Sequence, residues 1–125
     1  MSKVDWCKHE VTVPYGSSDH VRDIITWLQT NVNREDFMFD RRYQMTGDTW
    51  QRTILFAFQK DKVHFQTMQK KYITLPGDRN WDIEDWAIKN KITCDYKGPT
   101  DHTREKSIYY IPSSKDRVLA LLRWS

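Results

Sequence analysis

The chain of 125 residues is 38% hydrophobic, 30% charged and 14% aromatic, with six Trp. That composition suits one compact domain over residues 1–125 with its own core, and it excludes a disordered chain or one that needs disulfide or metal staples. Twenty Lys and Arg against 17 Asp and Glu leave a formal charge of +3, too slight a bias to argue for a duplex-binding stripe.

In chain order, HEVTVPY alternates Val11 and Val13 on one face and leaves through Pro14 and Gly16, the pattern of a first strand. Ser17 and Ser18 then offer N-caps, and Val21, Ile24, Ile25, Leu28 and Val32 form one apolar helical stripe. Residues 37–45 and 50–59 flank Thr46-Gly47-Asp48-Thr49 and predict a hairpin. Its second arm is apolar on both faces, Ile54, Phe56 and Phe58 against Leu55 and Ala57, as a central strand would be. Residues 61–72 predict a second helix with Phe65, Met68 and Tyr72 on one face. Leu75-Pro76-Gly77-Asp78 breaks the chain before a short helix in WDIEDWAIKN carrying Ile83, Trp86 and Ala87. Strands at 91–96 and 106–112 follow, joined by GPTDHTRE, and Ser113 and Ser114 cap a last helix whose Val118, Leu121 and Leu122 make its apolar face.

This order predicts an α+β fold: a two-layer sandwich with a mostly antiparallel sheet and helices on one face. Over the first 72 residues, β-α-β-β-α is similar to the ferredoxin-like order; its closing strand would come from residues 91–96, or the fold is an elaborated variant. Residues 36–72 and 91–124 share the order ββα, a weak internal repeat, and the joints QKDKVHF and SKDRVLA echo one another.

Those joints place Lys60, Lys62, Lys115 and Arg117 at two helix N-termini, where backbone N–H groups attract anions and phosphate is the natural ligand. Asp61 and Asp116 in the same turns offset the helix dipole, so the plainer reading is a shared grammar of strand exit and cap. Residues 52–58 faintly resemble the aromatic strand of an RNA-recognition motif through Phe56-Ala57-Phe58, but lack its Lys/Arg-Gly opening. A stacking surface on the uncovered sheet face would use Tyr43, Trp50, Tyr109 and Tyr110 with Arg41, Arg42 and Arg52.

No catalytic residue, cofactor or metal is assigned. Cys7 and His9 have no second ligand pair, the acids Asp82, Glu84 and Asp85 open a helix where acids belong, and Asp101-His102-Thr103-Arg104 is an ordinary polar loop. The longest apolar run, residues 54–58, is far short of the ~20 residues that cross a bilayer, so no membrane partner is expected. MSKVDWCKHE lacks the apolar core of a signal peptide, and two widely spaced cysteines read as reduced thiols in a cytoplasmic setting. The expected function is non-enzymatic docking of a macromolecule, another protein first. RNA or single-stranded nucleic acid is the alternative, and an enzyme acting on a small anionic substrate the third. A homodimer is left open.

Overall fold

A computed structural model describes residues 7–14, 18–40, 44–46, 49–100 and 104–125. In the first part of the chain, β1 (His9–Pro14) buries Val11 and Val13 and turns Glu10 and Thr12 outward. Helix α1 (Ser18–Asn31) buries His20, Ile24 and Leu28, spaced one turn apart. The expected stripe is therefore rotated: Val21 and Ile25 flank it half-buried, and a histidine takes the line that the apolar pattern does not mark. Strands β2 (Phe37–Phe39), β3 (Gln44–Thr46) and β4 (Thr49–Phe56) complete an antiparallel sheet with β4 at its centre, β1 on one side and β2 and β3 on the other. The expected hairpin and central strand are present, and α2 (Gln59–Gln69) follows. Ile54 and Phe56 on β4 pack with Val11, Val13, Ile24, Leu28 and Phe65 of α2 into one core, so both helices cover the same sheet face. Fully burying a side chain such as Phe65 stabilises by ~1.5 to 3 kcal/mol.

The second part departs from expectation at two strands. The helix expected through Tyr72 stops at Gln69, and Tyr72–Pro76 is a strand, β5. Tyr72 sits at helical spacing from Phe65 and Met68, which hides the period-two alternation of Tyr-Ile-Thr-Leu. After α3 (Asn80–Lys89), β6 runs Asp95–Pro99 in place of residues 91–96. Lys91 adopts a left-handed φ of 55° and the Ile92 N–H donates to the Ala87 carbonyl at 2.8 Å, so these residues close α3 instead of opening a strand. Strand β7 (Lys106–Tyr110) and α4 (Ser114–Trp124) end the chain. The second sheet is antiparallel in the order β5-β7-β6. Neither the strand after α2 nor the one expected from residues 91–96 pairs with β1: β5 and β6 both pair with β7, so neither supplies the closing edge of a ferredoxin-like sheet. The fold is α+β with two small antiparallel sheets and four helices among the described residues.

The two parts follow one plan. Each runs βαββα if β2 and β3 count as one interrupted arm, and each puts its last strand between the other two. Asp23-Ile24, Trp27 and Asn31 on α1 correspond to Asp82-Ile83, Trp86 and Asn90 on α3. Both asparagines donate to the carbonyl of the tryptophan one turn back. Ile54, Phe56 and Phe65 correspond to Tyr109, Ile111 and Ala120, all six fully buried. At these positions α1 lines up with α3 and α2 with α4. Each of the four prolines stands at or just beyond a strand end: Pro14 on β1, Pro76 on β5, Pro99 on β6 and Pro112 after β7.

Among the described residues, the parts meet around Asp23. Tyr72, Tyr110 and Asp95 are cross-strand neighbours on the sheet face opposite the one that carries Ile73, Leu75 and Tyr109. That outer face meets α1. The Tyr72 hydroxyl donates to Asp23 Oδ2 at 3.1 Å, Lys97 Nζ lies 2.8 Å from the same oxygen, and the His20 ring is centred 4.7 Å from that of Tyr72. Helix α1 of the first unit thus lies against the outer face of the second sheet.

Candidate functional site

Helix α4 starts cleanly. Ser113 Oγ accepts from the Asp116 N–H at 3.3 Å, and Arg117 Nη1 donates at 2.9 Å to the carbonyls of Ile111 and Pro112, tying the strand exit to the first turn. It then turns Ala120 and Trp124 inward. Trp124 is held edge-on to Trp86 at 6.2 Å, with the Arg79 and Arg123 guanidinium groups 5.5 and 5.2 Å from its ring centre. With that side fixed, the residues expected in the core point the other way. Val118 is 55% exposed and Leu122 79%, with Leu119 and Leu121 also in solvent. Leu119 and Leu122 border a groove of about 470 Å³ between α4 and α3, whose other walls include Trp86, Asn90, Ile92 and Lys115. On α3, Trp81 and Ile88 are exposed as well.

The sister helix shows that the fold does not require these leucines. Where α4 carries Leu119, Leu121 and Leu122, α2 carries His64, Gln66 and Thr67 at corresponding positions, and all three are exposed too. Single exposed leucines are ordinary; here three stand together on one helix.

The seam between the units forms another concavity, a cleft of about 680 Å³. Arg22, Thr26 and His64 line its helical wall, and Tyr72, Lys97 and Tyr110 its sheet wall. Burial drives His20 down from its ordinary value to about 4, against the pull of Asp23, so its imidazole is neutral at neutral pH. Burial, followed by the Asp23 charge, pushes the Tyr72 phenol up, which keeps it a proton donor to that carboxylate. Cys94 is pushed up to about 11 by burial and then by Asp95 and Glu84, so it is a thiol with little nucleophilic character. His20, Asp23 and Tyr72 hold the two parts together, whereas Cys94 packs into the second core. Among the described residues no cluster of three His, Cys, Asp or Glu is placed for a metal ion, and no helix is long and apolar enough to cross a membrane.

The expected stacking surface is not brought together where it can be followed. Arg41, Arg42 and Tyr43 lie outside the described residues, as do the side chain of Trp50 and the loop members Asp101, His102 and Thr103. Arg52 belongs to the first sheet, opposite Val13, with its guanidinium 5.5 Å from the Phe39 ring centre. Tyr109 is a core residue at 0% exposure whose hydroxyl donates to Asn80 Oδ1 at 2.7 Å, so it offers no open ring face. Tyr110 is half-buried, 5.0 Å from Tyr72. Of the anion-site candidates, Lys60 and Lys115 are exposed, Lys60 lies 5.5 Å from the Phe58 ring centre, Lys62 is half-buried, and Arg117 is engaged with two carbonyls. The leucine face escapes a reading of α4 alone. Its signal lies in setting SKDRVLALLRW against QKDKVHFQTMQ and comparing the outward positions. No protein-family model, curated protein or solved structure matches the chain.

Proposed function

We propose that the protein acts by docking another protein through the outer face of α4, with the α3–α4 groove as its rim. The observation that carries this reading is the row Leu119, Leu121 and Leu122, standing where the same helix of the first unit is polar. Covering such a row removes apolar area from water at about 25 cal/mol per Å², and Lys115 and Arg123 beside it supply the polar margin that interfaces of this kind carry. Each unit is read as a two-layer sandwich of ferredoxin-like order without its closing strand, and the pair as a duplication within one domain. No comparable observation favours a nucleic acid.

The sister helix supplies the test. The triple substitution Leu119→His, Leu121→Gln and Leu122→Thr gives α4 the surface of α2, which this fold already tolerates. Co-precipitation from extracts of the producing cell is expected to recover a partner with the unaltered protein and to lose it with the graft. Recovery of the same partner at the same yield by both proteins would refute the reading.

A further inference from the structure

We infer that the cleft along the seam between the two parts is a binding site for a small anion that carries a flat ring, the chemistry of a nucleoside phosphate. This site is independent of the α4 face. Its volume of about 680 Å³ lies within the range of about 300 to 1,000 Å³ that small-molecule sites occupy, and such sites favour the junction of two packed units. Both walls present rings. On the helical side Trp27 of α1 and His64 of α2 meet edge-on, with centres 4.9 Å apart. On the sheet side Tyr72 and Tyr110 are cross-strand neighbours, with centres 5.0 Å apart. A planar heterocycle entering between the walls is therefore offered aromatic surface on both sides.

Charge supplies the second half of the chemistry. Of the cations that line the cleft, Lys97 is engaged, its Nζ 2.8 Å from Asp23 Oδ2. Arg22 and Lys71 are not: among the described residues neither side chain forms an ion pair or a hydrogen bond. Arg22 stands exposed on α1, whereas Lys71 is half-buried at the turn from α2 into β5, where a charge attracts its opposite more strongly than in open water. An anionic group lodged between them gains two charge-assisted hydrogen-bond donors from opposite ends of the helical wall. Asp95 is the opposing charge on the sheet wall. It stands in register with Tyr110 and suits an amino group on the edge of a heterocycle, not the anion. Thr30, Asn31 and Thr67 also line the cleft, and each donates to a carbonyl of its own helix. What they turn to a ligand is acceptor capacity, which fits the hydroxyls of a ribose.

Isothermal titration calorimetry with AMP, GMP, CMP and UMP tests the site, with inorganic phosphate as the anion that lacks a ring. At least one monophosphate is expected to bind, and more tightly than inorganic phosphate. Arg22→Gln and Lys71→Gln remove no internal contact of the described residues, so the thermal midpoint should hold while each weakens that binding by about tenfold. Tyr110→Ser should erase the advantage over inorganic phosphate. Lys115→Gln, the same loss of charge placed on α4, should leave binding intact. Failure of all the monophosphates to bind at millimolar concentration overturns the inference, and so does binding that Lys115→Gln weakens as much as Lys71→Gln does. Inorganic phosphate bound as tightly as any monophosphate would mean an anion site without a ring, which also overturns it.

Discussion

His20 is only 1% exposed, packed against Tyr72, with Asp23 and Lys97 as its charged neighbours. Its value near 4 in the folded chain, against 6.5 ordinarily, fixes the direction of its effect on stability. Between those values the unfolded chain takes up a proton that the folded chain refuses, so stability is fully present above the ordinary value and is lost as pH falls toward 4. At pH ~5 the loss from this residue is about 2 kcal/mol relative to neutral pH. Urea midpoints at neutral pH and near pH 5 measure it. His20→Leu is expected to shrink the acid-induced loss by that amount whatever it does to stability at neutral pH, and an undiminished loss would place the acid sensitivity elsewhere. This residue was illegible in the sequence for a definite reason. Periodicity registers apolar side chains, and a buried neutral imidazole one turn before Ile24 looks like any polar surface position.

At the level of elements, α2 and α4 differ in how they begin. Phe58 holds the N-cap position of α2 with no side-chain cap and is half exposed, whereas Ser113 at the corresponding position of α4 accepts from Asp116 N. Phe58→Ser transfers the α4 cap to α2 and is expected to stabilise the protein by ~0.5 to 1 kcal/mol, after the modest loss of the Lys60 contact with the ring. A thermal or urea midpoint that falls would show that Phe58 contributes more by packing than Ser by capping. Most elements were legible: β1, α1, the hairpin centred on β4, α3 and the capped start of α4 follow from alternation, helical spacing and cap residues. Strand β5 was lost because Tyr72 satisfied two periods at once, and β6 because Gly98 and Pro99 read as a turn although an edge strand accommodates both. On α4 the spacing told correctly that Val118, Leu121 and Leu122 share a side; spacing carries no information on whether that side is covered.

For the whole molecule, the joint between units depends on one half-exposed carboxylate. Asp23→Ala removes the acceptor of Tyr72 and the counter-charge of Lys97, whose side chain is only 16% exposed, and is expected to cost ~1 to 3 kcal/mol. The loss should be local first: amide hydrogen exchange in β5 and β6 is expected to accelerate more than exchange in β1 or β4, and a uniform change would mean that the carboxylate supports folding in general instead of the joint. The joints echo plainly in the sequence, while the Asp-Ile, Trp and Asn pattern is spread along two helices that the apolar stripe does not align. The prolines bear on how such a molecule survives its own synthesis. β1, β5 and β6 are edge strands, and each ends in a residue with no N–H to offer. A first unit emerging from the ribosome ahead of its sister shows a β1 edge whose last residue cannot donate to an incoming strand. Neighbouring nascent chains are thereby discouraged from zipping into a continuous cross-β stack, and contact between finished molecules is left to their faces.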